Sequence, residues 1–251
     1  MFRIAHVSDL HLLPTRSDRA FVDRLIASWG EHEVDHVVIT GDVTHDGDAG
    51  VIGWFDRALR RSGWNEERCT VLGGNHDLRA KRSFRRRFGW EVCTFRMLDN
   101  GRVGLVTVDS VKHGGLLDRN MWSPRGWLTG NELAALDDAL DRCAGCAVRV
   151  LALHHHLFHT PVSDLDWLTR LGTVLPGRLR LWGPLQNAEE LLEKAQQRRV
   201  QVILSGHSHT PQSRRIGGVR CYVGGGTTTF EEYRVLSVDD RGTIQVRWAQ
   251  P

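Results

Sequence analysis

Five short segments of this 251-residue chain place Asp, His or Asn directly after an apolar run: Asp9-Leu10-His11, Gly41-Asp42, Gly74-Asn75-His76-Asp77, His154-His155 and Gly206-His207-Ser208-His209. Carboxylates, imidazoles and one amide oxygen make a mixed N/O donor set. Such a set suits divalent first-row metals, whereas calcium favours oxygen alone. Seven candidate ligands are too many for one tetrahedral ion, but they divide into two sets sharing a carboxylate, and Asp42 is the natural bridge. The expected cofactor is therefore a pair of divalent ions, Mn, Fe or Zn. If residues 9 and 11 are extended they point the same way, as do 207 and 209. The glycines at 41, 74 and 206 allow backbone turns that carry the following side chain into a site.

The elements that must position these residues alternate along the chain. Apolar runs at 2–8, 35–40, 69–72, 102–108, 148–153 and 200–204 read as strands. Between them, helical spacing covers 17–29 with Ser17 or Asp18 as cap, 48–61, a basic 79–88, 131–142 after Thr129 or Asn131, and 188–199. The five donor segments then end five of these six strands, and the carboxyl ends of α/β strands lie along one edge, where ligands bind. Beyond Gly206 short runs at 214–216, 219–223, 231–238 and 243–248 read as an antiparallel tail. The pattern predicts an α/β fold: a four-layer αββα sandwich of two mixed sheets flanked by helices, as one domain over 1–251. Residues 157–185, irregular and rich in Trp and Pro, form a candidate lid or rim over the site.

Composition narrows the partners. Lys plus Arg minus Asp plus Glu is 33 − 30 = +3, too small a field to demand nucleic acid or an anionic membrane. The opening residues lack a charged segment followed by an apolar stretch, so no signal peptide or membrane span is expected, and the cytoplasm is the expected address. Five cysteines without a framework spacing fit reduced thiols, and Cys143-Ala144-Gly145-Cys146 reads as packing. The nine tryptophans read mostly as core.

Taken in order, the five donor segments resemble those of the calcineurin-like metallophosphoesterases, over about residues 2–225. Asp46-Gly47 and Asp109-Ser110 further resemble the branch of cyclic-nucleotide and glycerophosphodiester phosphodiesterases. The resemblance implies one metal held by Asp9, His11, Asp42 and His209, and another by Asp42, Asn75, His154 and His207. It implies a metal-bridging hydroxide as nucleophile for in-line attack on phosphorus, with the metals about 3.5 to 4 Å apart. His76 would be the general acid, and Asp77 would orient its imidazole through the other ring nitrogen. In that branch the histidine is usually followed by His-Pro-Pro, whereas here the run is His154-His155-His156-Leu157-Phe158-His159; a shift of one residue would move the ligand role to His155.

Substrate contacts are expected from His155, Arg79, Arg82 and His45; His156 and His159 read as rim residues or as residues behind the ligands. Six cations lie within residues 79–87, yet spread round a helix they cannot all face one ligand. The activity expected is a phosphodiesterase acting on a small-molecule phosphoester. The alternatives are a phosphomonoesterase, or a nuclease using the 79–87 segment with nucleic acid as partner. A non-catalytic scaffold would have lost ligands, and none is lost. No feature specifies an oligomeric state.

Overall fold

The computed structural model describes residues 1–111, 126–159 and 184–251. The candidate lid, 157–185, lies almost wholly outside the described residues.

The strands are β1 (Phe2–Val7), β2 (His36–Thr40), β3 (Cys69–Leu72), β4 (Cys93–Leu98), β5 (Val103–Val108), β6 (Val148–Ala152), β7 (Val202–Ser205), β8 (Gln212–Ile216), β9 (Val219–Val223), β10 (Tyr233–Val238) and β11 (Ile244–Ala249). The helices are α1 (Arg16–Glu31), α2 (Ala49–Arg61), α3 (Lys81–Phe88), α4 (Gly130–Arg142), α5 (Ala188–Gln197) and the single turn α6 (Thr227–Phe230). A short 3-10 helix, His76–Ala80, leads into α3. The first sheet runs β11-β10-β1-β2-β3 and the second β4-β5-β6-β7-β9-β8. Both mix parallel and antiparallel pairs, as the αββα expectation requires.

Strand periodicity builds the four layers. In β2, Val37 and Ile39 face α1 and α2, while Val38 faces the second sheet. In β6, Leu151 joins the layer under α4 and α5, while Val148, Val150 and Ala152 fill the space between the sheets. Strands buried on both faces read as continuous apolar runs, which is why they were visible in the sequence. Asp48 caps α2 through Gly50 N and Val51 N, and a Thr129/Glu132 capping box starts α4.

Several elements differ from expectation. Helix α1 is capped by Thr15, whose side chain accepts from Asp18 N, rather than by Ser17 or Asp18. Strand β4 was not foreseen, because an edge strand is only half buried and its Cys-Thr-Phe-Arg-Met-Leu sequence lacks a clean alternation. The tail is not one antiparallel unit. Strand β9 pairs parallel with β7 and antiparallel with β8, whereas β10 crosses to the first sheet and pairs antiparallel with β1. Arg234 on β10 ties the sheets together by donating to the carbonyls of Val223 and Gln212. Trp248 on edge strand β11 is exposed, unlike Trp29, Trp54, Trp64 and Trp90. All five cysteines are free thiols.

Candidate metal centre

The donor segments leave the carboxyl ends of β1, β2 and β3 in one sheet and β6 and β7 in the other. They are not extended. Asp9, His11, Asp42, His207 and His209 all have positive φ, between 45° and 73°. Left-handed backbone at non-glycine residues costs energy and persists where the surroundings over-determine it. It is this reversal, rather than a shared strand face, that turns the side chains inward. Here the clamps are backbone hydrogen bonds: Asp9 N to Gly41 O (3.1 Å), His11 N to Asp42 O (2.9 Å), and His207 N to the Asp9 carboxylate (3.0 Å). Of the three glycines expected to permit turns, Gly41 has φ +99°. Gly74 instead allows close approach, since a Cβ there would lie 2.1 Å from Asp42 Oδ1.

Two donor sets result. Asp9, His11, Asp42 and His209 bring one ligand atom each within 4.8 Å of one another, and so do His154, His155 and His207. Asn75 completes the second set, with Oδ1 2.9 Å from His154 Nε2 and 3.0 Å from His207 Nδ1. Asp42 Oδ2 lies 3.7 Å from His11 Nε2 and 3.4 Å from His154 Nε2, between the two sets. The donor atoms fit cations: His11 and His209 point Nε2 at each other across 2.8 Å, and His207 Nδ1 is 3.3 Å from His154 Nε2. Ligand atoms each about 2.1 Å from one ion stand about 3 Å apart. His154 donates Nδ1–H to Thr40 O (2.8 Å), which leaves Nε2 to face the set.

Three of these donors are held in the form a cation binds, while Asp9 and His154 are shifted towards the protonated form, whose proton a cation would displace. Burial pushes His11 and His207 well below the usual imidazole range, so both keep lone pairs. Burial also opposes the Asp42 charge, but the surrounding His154, His76 and His11 outweigh it and hold the carboxyl well below the ordinary value. Burial raises Asp9. For His154 burial opposes protonation, but the Asp42 and Asp9 carboxylates prevail and push it up to about 9.

Supporting residues that the sequence did not single out form a buried chain. His6 Nε2 donates to Thr40 Oγ1 (3.0 Å), Thr40 Oγ1 to Ser8 Oγ (2.8 Å), and Ser8 Oγ to Asp9 Oδ2 (2.6 Å). These residues lie within apolar runs, and only pairing β1 with β2 brings them together.

Asp77 takes a different place from the one expected. It is fully buried and accepts from Val43 N, Thr44 N, Thr44 Oγ1 and Gly74 N, at 2.9 to 3.1 Å. Burial and the Asp42 charge push it up to about 6, against the hydrogen bonds it accepts. The His76 ring is held instead by the carbonyl of His45, to which Nδ1 donates at 2.6 Å. His155 is 0% exposed, with Nδ1 2.9 Å from Ser110 Oγ and its ring 4.5 Å from that of His207. It lies in the second donor set beside His154, and its buried ring presents no surface to a substrate. His156 stacks on His207 at 5.7 Å, and His159 is exposed. His45 and His76 join His11 in a third group of imidazoles near the mouth. Arg79 and Arg82 are exposed on the segment that continues from His76, without ion pairs among the described residues.

Two mixed sheets between helical layers, with two donor sets sharing one carboxylate at their strand ends, define a metal-dependent hydrolase with a dinuclear metal site. The family model described as calcineurin-like phosphoesterase matches residues 2–211, and the chain belongs to that family. A probable cyclic nucleotide phosphodiesterase of Xenorhabdus bovienii is 22% identical over 227 residues, 84% of this chain and 79% of its own length. A dimetal phosphatase from Danio rerio shares the fold with TM-score 0.68 and 13% identity, over 99% of this chain and 98% of that one. A purple acid phosphatase from yellow lupin seeds aligns with TM-score 0.62 and 12% identity, over 99% of this chain and 51% of that one.

Proposed function

We propose that the chain is a phosphodiesterase acting on a small-molecule phosphodiester. The observation that carries the phosphoester-hydrolase part of this reading is the placement of Asp42 between two donor sets, with His76 beside them: the His76 backbone N–H donates to Asp42 Oδ1 at 2.8 Å, and its ring lies 4.5 Å from that of His11. When bound, two divalent cations neutralise phosphoryl charge and lower the pKa of an attacking water.

The side chains supply the rest. Asp42 keeps both donor sets at a fixed separation. His76, with Nδ1 committed to the His45 carbonyl, would deliver from Nε2 the proton that a departing alkoxide needs, which a diester and a monoester alike release. Arg79 and Arg82 are the candidates for contacting the second substituent on phosphorus. The diester preference is supported by the similarity to the Xenorhabdus relative, a probable cyclic nucleotide phosphodiesterase.

The test compares turnover of bis(p-nitrophenyl) phosphate with that of p-nitrophenyl phosphate by Mn-loaded protein, using Asp42→Asn as the blank. The diester should be hydrolysed with the higher kcat/KM. A monoester preference overturns the phosphodiesterase reading in favour of a phosphomonoesterase. His76→Ala should keep its metals and lose about 100-fold or more in kcat on alkyl diesters, with a smaller loss on nitrophenyl esters, whose leaving group needs no proton.

A further inference from the structure

A cavity of about 390 Å³ lies on the flank of the sandwich, lined by the edge strands β3 and β4 of the two sheets, by α2 with the loop after it, and by the end of α3. Asp9, Asp42 and the liganding histidines do not line it. Its walls combine the rings of Trp64, Phe88 and Trp90 with the guanidinium groups of Arg86, Arg87 and Arg96. The lining carboxylates are largely committed. Asp56 pairs with both Arg60 and Arg87 at 2.8 Å, and Asp109 accepts from Trp90 Nε1 at 2.8 Å with Lys81 3.9 Å away. Glu91 is exposed. Arg86 has no ion pair among the described residues, and Arg87 Nε has no acceptor. Pockets of roughly 300 to 1,000 Å³ hold small ligands, which they select by apolar walls and a few placed polar groups.

We propose that this cavity binds a small aromatic anion, a planar ring system carrying one acidic group, and that its occupancy is felt at the metal centre through Trp90. The rings of the ligand lie against Trp64 and Trp90, and its acidic group meets Arg86 and Arg96. Trp90 reaches the donor residues by two routes. Its ring packs on Gly73 so closely that a Cβ there would lie 2.5 Å from it, and Gly73 leads directly into Gly74-Asn75-His76. Its Nε1 holds Asp109, and the next residue, Ser110, holds His155 against His207. A ligand that shifts Trp90 therefore moves both the turn that carries Asn75 and the residue that backs His207. The binding does not depend on the phosphodiesterase reading; the effect on turnover rests on it.

The probe is 8-anilinonaphthalene-1-sulfonate, which has the ring system and the anion but no phosphorus, titrated into the full chain by calorimetry and fluorescence. One saturable site per chain is expected, retained in metal-stripped and Asp42→Asn protein, with a Kd that shifts there only by the coupling between the two sites. Arg86→Ala and Arg96→Ala should each weaken binding about tenfold, the loss of one charge-assisted hydrogen bond. Thr94→Trp, which fills the cavity from β4, should abolish it. If that variant does not fold, the exposed Arg86 still decides the matter. Loss of the site on metal removal or in Asp42→Asn places the probe at the metal centre and overturns the proposal. An affinity indifferent to Arg86 and Thr94, or no saturation up to millimolar probe, does the same. In Trp90→Phe the probe should still bind but no longer alter kcat/KM. A bound probe that leaves wild-type turnover unchanged overturns the coupling alone. A protein that hydrolyses neither nitrophenyl ester overturns the functional reading, while the titration still decides the site.

Discussion

Asp77→Asn separates two roles for one buried carboxylate. In the structure Oδ1 accepts from Thr44 N and Thr44 Oγ1, and Oδ2 from Val43 N and Gly74 N, so the side chain clamps the loop after Asp42 to the turn before Asn75. The amide is the same size but has one oxygen, and its NH2 group must face donors. Turned with the NH2 in place of Oδ1, it orphans the Thr44 N–H while the Thr44 hydroxyl can rotate to accept, so one buried donor is lost in the better orientation and two in the other. A buried donor left unsatisfied costs about 1 to 3 kcal/mol. For a chain of this length each kcal/mol lowers Tm by roughly 2 to 4 °C, which gives a fall on the order of 2 to 12 °C. The assay is calorimetric unfolding at pH 8, above the value of about 6 to which Asp77 is pushed, so that the wild-type carboxyl is ionised. Metal content measured on the same samples should fall, because both clamped loops carry ligands. If Asp77 served only to orient His76, the variant would keep its Tm and metals and lose only the rate on poor leaving groups. That result would refute the clamp.

Gly74→Ala places a Cβ 2.1 Å from Asp42 Oδ1 and 2.3 Å from Asp42 N, so the shared carboxylate must move; metal analysis should show loss of both ions, and two retained ions with normal turnover would contradict the close approach. Thr40→Val breaks the chain from His6 to Asp9, and Mn titration should show affinity about 10- to 100-fold weaker, as for other partners of ligands; unchanged affinity would mean that Asp9 is oriented without it. His36, buried and bonded to Thr70 Oγ1, is lowered to about 4 by burial and by Arg96. The unfolded chain therefore binds its proton more readily, and the stability contributed above pH 6.5 is lost as pH falls towards 4. Urea unfolding of metal-stripped protein should show ~2 kcal/mol of the decline between pH 7 and pH 5 absent from His36→Gln. An equal decline in the variant would remove His36 as its source.

The order and spacing of the donor segments were legible in the sequence because each follows a strand buried on both faces, and such strands read as plain apolar runs. The alternation of those runs with amphipathic helices determined the αββα class and the strand ends at which polar side chains gather. Local pattern could not assign β9 to the second sheet and β10 to the first, since both are short β-rich runs and their partners lie far away in the sequence. The packing of the two sheets against each other brings the halves of the site together: Asp9, Asp42 and Asn75 follow strands of one sheet, His154, His207 and His209 those of the other. Nor could spacing show that the ligands sit in left-handed backbone, or that Asp77 clamps loops while the His45 carbonyl holds His76. Those features depend on hydrogen bonds between segments more than thirty residues apart. The sequence determined which chemical groups are available at the strand ends; the packing of two sheets decided which of them meet, because only there do the desolvation of the carboxylates and the facing of imidazole nitrogens arise.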